Sequence, residues 1–493
     1  MTPPRSPRPA RFRVAGLAAA LALTFTAACT GDGADDGPDR ADEGTGTTAR
    51  GSGSGPGHIW VASGRDVTGK GGIRQQLVDD WNSAQKAEAK KEGTHPFRAH
   101  LVELSGSADQ QRSQLLGALQ SGSAKYDVVN LDVTWVPEFA AAGLISTLDE
   151  KLLDGDVIES VASTGRWNKD VYAAPFNSDV GLLYYRRDYL QRADLKPRRQ
   201  DWRVKTWGEL QRVINDVEEA NLPQPYDKGW TTQLDGYEGR TVNAIEAFES
   251  ADDGPTLVDG EGRYEGTAQS LISGVRELSD RTAEPFTLER ARDSKETESL
   301  SDFTAGKTAF LRHWPTAYGT LHQTFKEDQL GVMPLPGRAV LGGQNLAVSS
   351  KSQHAAEAQD LVRFLTNAES QCRLLRAGFA ATRESAYAKS PDTCRDEAGS
   401  DAPASSPSPS SSGSGESVDP TPRDEHGRPE YATGTLLTAL KNAAQRPRTP
   451  YYGAFTLAFT TALDPLFRDS PPSEPAIAKA LDKALREAMP TAD

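Results

Sequence analysis

Tyr126-Asp127-Val128-Val129-Asn130-Leu131-Asp132 is the stretch on which the fold turns. A short apolar run that closes on a carboxylate is too brief for a helix, and it predicts a buried strand ending at Asp132. Working outward, Glu138 to Ala142 has helical spacing, and Gln110 to Leu119 before it does too. Phe97 to Leu104 alternates as a strand. Ile73 to Trp81 places apolar side chains at 73, 77, 78 and 81, the spacing of one helix face. His58-Ile59-Trp60-Val61-Ala62 is a further strand. Strands alternating with helices predict an α/β fold with a parallel, doubly wound sheet, whose ligands sit beyond the carboxyl ends of the strands. Asp132 and the Ser63–Asp66 loop both occupy such ends.

The 493 residues allow two or more domains, and 37% hydrophobic with 25% charged residues is the balance of a globular chain. A formal net charge of −14 argues against a nucleic-acid partner, since phosphate neutralisation needs clustered positive charge. No apolar run reaches the roughly 18 to 20 residues of a spanning helix.

The N-terminus reads as an export signal over residues 1–28. Arg5, Arg8, Arg11 and Arg13 precede the apolar run Val14 to Ala28, with no acid before Asp32. Thr26-Ala27-Ala28-Cys29 resembles a bacterial lipoprotein box with Cys29 as the lipidated residue, although Thr26 stands where Leu is usual. The remaining thiols, Cys372 and Cys394, are an even pair in an oxidising compartment, so a disulfide and two buried free thiols both stay open.

Residues 29–57 carry almost no apolar side chains and read as a disordered tether, and 396–429, which includes ASSPSPSSSGSGES, as a disordered insert. Gly64 to Gly71 matches the phosphate-binding loop G-x-x-x-x-G-K-[ST] except at its last position. The missing hydroxyl is the magnesium ligand, so the stretch reads instead as a loop at a strand end in which Asp66 can meet a neutral polar ligand. The 7 histidines lack metal-ligand spacing, and no catalytic constellation stands out. No metal, no cofactor and no enzymatic activity are therefore expected.

Sugars are bound by carboxylates, amides and Arg that pair with adjacent hydroxyls, and by aromatic rings that cover the ring faces. Trp occurs 8 times, several beside polar residues: Asp132-Val133-Thr134-Trp135 and Arg312-His313-Trp314-Pro315, with Asp235-Gly236-Tyr237-Glu238 a similar pairing on Tyr. Any one of these rings could equally be core.

Six stretches carry a resemblance: YDVVNLDVTWVPEFAAAGLISTLDE at 126–150, APFNSDVGLLYYRRDYL at 174–190, QLDGYEGRTVNAIEAF at 233–248, GKTAFLRHWPTAYG at 306–319, GGQNLAVSSKSQHAAEAQDLVRFLTN at 342–367 and RPRTPYYGAFTLAF at 446–459. Together the chain resembles an extracellular solute-binding protein, family 1, of a bacterial ABC importer, in the branch that binds trehalose, maltose and related sugars. The resemblance implies a two-lobed periplasmic-binding-protein-like fold (type II) with a ligand cleft between the lobes. It implies lobe 1 at 58–177 and 312–343 and lobe 2 at 178–311 and 344–493. PFNSDVGLLYY would be the first crossing, with return crossings around Trp314 and Gly343. By motif it implies ligand contacts at Asp66, Asp132, Asn177, Glu238, Gly343 and Arg446, with Trp314 as a stacking ring. Each has a plainer alternative: Asp132 as a helix cap, Asn177 or Asp179 in a turn, Gly343 for backbone conformation, a Glu238–Arg240 ion pair, Arg446 bridging to a surface acid, and Arg448 in place of Arg446. The partners implied are a small sugar ligand and permease subunits powered by a separate ATPase. The protein would be a monomer held by a lipid anchor at the outer face of the cell membrane. An exported glycoside-active enzyme and a binding protein for a non-sugar solute remain the alternatives.

Overall fold

The computed structural model describes residues 57–65, 72–122, 125–195, 202–252, 254–283, 285–388, 394 and 419–492. Cys29, Asp66, the export signal and most of the tether lie outside these residues. Among them run eleven strands: β1 (His58–Gly64), β2 (Arg98–Leu104), β3 (Val128–Asp132), β4 (Arg166–Trp167), β5 (Asp170–Val171), β6 (Ala174–Val180), β7 (Leu182–Arg186), β8 (Lys228–Thr231), β9 (Thr308–His313), β10 (Leu330–Pro334) and β11 (Leu341–Val348). They form one sheet of order β2-β1-β3-β11-β6, a second of order β10-β7-β9-β8, and the small hairpin β4-β5.

The first sheet is covered on both faces. Ile59, Val61, Val128, Phe176, Leu346 and Val348 share a core with the helices Ile73–Glu92 and Ala355–Leu365. Ala62, Val129, Leu131 and Ala347 share another with Leu115, Leu119, Val136 and Phe139, from the helices Ala108–Ser121 and Val136–Ala141. Val128 and Val129 fall in different cores because successive strand side chains point to opposite faces. Ile73, Leu77, Val78 and Trp81 are all buried along one helix face, and that helix stops at Gly93 in the left-handed region, where glycine has no Cβ penalty.

The sheet is mixed rather than parallel. β1 runs parallel to β2 and β3, but β11 lies antiparallel between β3 and β6. The chain returns from the second sheet at the carboxyl end of β3 and β6, so its re-entering strand runs against them. The outward crossing is Gly181, between β6 and β7. A Cβ there would lie 2.3 Å from Glu246 Oε1 and 2.9 Å from Arg312 Nη2, so only glycine passes the buried Arg312–Glu246 pair.

The domain boundaries differ from the expectation. β9 and β10 belong to the second sheet, so 312–334 does not join the first. β11 and the helix Ala355–Leu365 after it belong to the first: Leu361, Val362 and Leu365 share a core with β1 and β3, whereas Ala439 and Leu440 of a later helix pack with the second sheet. The return crossing lies between Pro334 and Leu341. Trp314 is no crossing, because a short helix, Ala317–His322, leads from it back into the same sheet.

The insert is also shorter than expected on its C-terminal side. Residues 419–429 are folded, stapled by Asp419–Arg423 and Asp424–Arg428 pairs at 2.9 and 2.7 Å, with Arg428 buried. Arg376 donates to the carbonyls of Cys394 and His426, at 2.9 and 3.1 Å, so one side chain holds chain on both sides of the insert. Cys372 and Cys394 are joined by a disulfide.

Candidate functional site

Asp132 is the last residue of β3, at the carboxyl edge shared with β1 and β6. Its Oδ1 accepts from Thr134 N and Oγ1, at 2.9 and 2.8 Å, which fixes the carboxylate at the turn. The helix-cap alternative for Asp132 is not what is found: Trp135 is the N-cap of the helix Val136–Ala141, and Asp132 closes the turn before it. The same oxygen also accepts from Arg446 Nη2 at 2.8 Å.

Glu238 opens the helix Glu238–Ser250 and accepts from Arg446 Nη1 at 2.6 Å. It also accepts from Tyr452 OH and from Thr456 Oγ1. Tyr452 and Thr456 stand four residues apart in the helix Tyr452–Leu463, hence on one face of it. Arg446 thus bridges two carboxylates that approach from different parts of the fold, and its side chain is only 3% exposed. Burial opposes its charge, but Asp132 and Glu238 outweigh that and hold its pKa above the usual value. Burial pushes the Glu238 carboxyl up, with Arg446 pulling the other way and Asp132 adding to the rise.

A third carboxylate joins the cluster. Asp179, on β6, has its pKa pushed up to about 7 by burial, which Arg312 opposes and Asp132 reinforces. Its Oδ1 has no hydrogen-bond partner. Trp314 lies with its ring centroid 3.8 Å from the Arg312 guanidinium. Gly342 brings the two groups together, since a Cβ there would be 3.2 Å from Asp179 Cβ and 3.6 Å from Trp314 Cζ3.

Of the residues named from sequence, the structure brings Asp132, Glu238 and Arg446 into direct contact, with Trp314 beside Asp179. Asn177 belongs to a different cluster: its Oδ1 accepts from Arg74 Nη2 at 3.2 Å, and Arg74 also donates to Gly64 O and Gln344 Oε1. Gly343 serves backbone geometry. Its φ is 110°, a Cβ would meet Asn177 O at 2.4 Å, and its carbonyl accepts from Val133 N. Arg240 pairs with Asp464 instead of Glu238. Arg448 donates to the Ser163 carbonyl. Trp135 is buried in the core, so there the plainer reading of a lone Trp holds.

Sequence reasoning missed Tyr452 and Thr456, whose spacing was visible but sat in an apolar helix. It treated Asp179 only as a turn residue, whereas Asp179 lies within a strand. Chemically the cluster offers fixed acceptors, one bidentate cation and an aromatic ring, which suits the recognition of a polar solute.

The family described as bacterial extracellular solute-binding protein matches residues 85–400. A relative from Deinococcus radiodurans, named as an ABC transporter-binding protein, is 28% identical over 63% of this chain and 74% of its own. Among solved structures, the maltose-bound MalE3 of T. maritima superposes with a TM-score of 0.67 at 21% identity, covering 87% of this chain and 99% of its own. UgpB of Mycobacterium tuberculosis, in complex with glycerophosphocholine, gives 0.65 at 16% identity, over 89% of this chain and 98% of its own. At such identities these structures speak for the two-lobed fold.

Proposed function

The chain belongs to the bacterial extracellular solute-binding proteins, and from that premise we propose that it is the sugar-capturing component of an ABC importer. It takes a trehalose- or maltose-like di- or oligosaccharide by lobe closure and delivers it to a membrane permease driven by a separate ATPase. It works outside the cytoplasm, held at the outer face of the membrane by lipid on Cys29. The observation that carries the reading is Arg446, whose guanidinium is shared between Asp132 at the edge of the first sheet and Glu238 at the start of the helix after β8, the edge strand of the second.

Closure needs a ligand whose contacts differ between open and closed states. A sugar hydroxyl can donate to a carboxylate and accept from a guanidinium, so a pair of adjacent hydroxyls can enter this network at Asp132, Glu238 and Asp179. Trp314 then lies under an apolar ring face. Because the two carboxylates come from different segments of the chain, a ligand held by both favours the closed form. Neighbours of similar fold likeness name maltose and glycerophosphocholine, which is why the test must include a non-sugar.

Titration calorimetry against trehalose, maltose, maltotriose and glycerophosphocholine tests the reading, with Glu238→Gln in parallel. Saturable binding of one sugar, weakened at least tenfold in the variant and with the sugar recovered intact, is the expected result. Hydrolysis of the sugar, or binding of glycerophosphocholine alone, overturns it.

A further inference from the structure

A cavity of about 620 Å³ lies beside the Arg446 cluster. It is walled by the β4-β5 hairpin at Trp167 and Lys169, by the helix face at Phe248, by the 254–260 segment, and by the chain from Gln445 to Arg448. Its volume is in the range of a small-molecule site, roughly 300–1,000 Å³.

The charges on its wall do not balance. Asp259 is taken up by Arg263 at 2.7 Å and by the backbone N–H groups of Glu261 and Arg263. Glu249 faces Arg338 at 3.8 Å. Arg446 is held by its two carboxylates. Arg448 has none: its Nη1 donates to Ser163 O at 2.5 Å, and its Nε and Nη2 are buried without an acceptor. Arg446 Nε is likewise buried and unmatched. Lys169, at an exposed turn with φ 76°, has no acidic partner among the described residues.

Buried guanidinium N–H groups without acceptors are costly, more so because the group is charged. The backbone around it is held firmly: a Cβ on Gly262 would lie 2.9 Å from both Arg448 O and Thr449 Cα, so the neighbouring turn locks this chain in place. An acceptor in the cavity would relieve that cost. A planar guanidinium matches a two-oxygen acceptor, whether carboxylate or phosphate.

We propose that this cavity is a second binding site, which takes a small oxyanion, carboxylate or phosphate, on Arg448, with Lys169 on its exposed side. Because Arg446, Pro447 and Arg448 are consecutive, occupancy here also bears on the residue that ties Asp132 to Glu238. A bound oxyanion therefore shifts the sugar affinity, and by linkage sugar shifts the oxyanion affinity by the same factor.

The test is titration of the full chain, sugar-free, with sodium phosphate and separately with sodium citrate in Tris-chloride buffer, against sodium chloride at matched ionic strength. Heat of binding and thermal unfolding are the readouts. The expected result is saturable binding of at least one oxyanion, absent with chloride, weakened tenfold or more in Arg448→Gln and several-fold in Lys169→Ala. A phosphate-only response assigns a phosphoryl ligand, and a citrate-only response a carboxylate one. No saturable response above the chloride control, or unchanged binding in Arg448→Gln, overturns the proposal. Should Arg448→Gln not fold, Lys169→Ala decides alone, since its side chain is exposed and unchanged binding there is refuting.

Discussion

Arg446→Met removes the cation shared by Asp132 and Glu238 and keeps most of the side-chain volume. The guanidinium is 3% exposed and its two contacts are 2.6 and 2.8 Å long, so solvent cannot replace it. What remains is Glu238, 12% exposed, and Asp132, 20% exposed, without another paired cation among the described residues. Breaking a buried pair by removing one partner costs about 3–5 kcal/mol. Against a total stability of about 5–15 kcal/mol, that loss dominates the unfolding curve. Urea unfolding at pH 7, followed by circular dichroism, measures it. The pH dependence separates charge from packing. Glu238 already has a raised pKa in the folded state, and losing Arg446 raises it further. Its ionised form therefore costs stability above that pKa, and the cost is relieved as pH falls and the carboxyl protonates. The deficit should be largest at pH 7 and shrink towards pH 4–5, and Glu238→Gln added to Arg446→Met should recover part of it. A loss below about 1 kcal/mol at pH 7, or one of equal size at both pH values, refutes the reasoning.

Asp179→Asn should match the parent at pH 4 and exceed its stability at pH 8 by about 2–4 kcal/mol. A carboxyl raised from 3.8 to about 7 costs stability as pH climbs through that window, and an amide does not; thermal melts at the two pH values check it. Gly343→Ala should cost about 3 kcal/mol or more, since φ is 110° and the new Cβ would sit 2.4 Å from Asn177 O; equal denaturation midpoints would show that the backbone yields there. Cys372→Ser should cost about 3 kcal/mol, as expected for a bridge whose cysteines are 22 residues apart, and reducing agent should destabilise the parent but not the variant. Trp314→Ala should weaken binding of the cognate sugar at least tenfold by calorimetry while leaving the circular dichroism spectrum unchanged.

The helices and strands of the first sheet were legible because periodicity is local: Ile73, Leu77, Val78 and Trp81 declare their helix within nine residues. Strand direction is not local, and nothing in GGQNLAV shows that it lies antiparallel beside Asp132. The same limit applies to the site. Asp132 was readable as a carboxylate at a strand end, but Arg446 is 314 residues from it and 208 from Glu238, so their meeting is a property of the tertiary fold. Resemblance supplied those names, and it could not show that Asn177 had another partner in Arg74. Residues 419–429 looked unfoldable because they lack apolar side chains. They fold on paired Asp and Arg four apart, a signal that a hydrophobic reading passes over.

The grip of Arg376 on both Cys394 and His426 makes the intervening stretch a natural port. Its two flanks are fixed independently of what joins them, one by a disulfide and the other by Asp–Arg pairs. Loop closure depends only weakly on length, with each doubling costing about 0.6 kcal/mol. A fluorescent domain or an epitope joined between those two flanks should therefore cost the fold little.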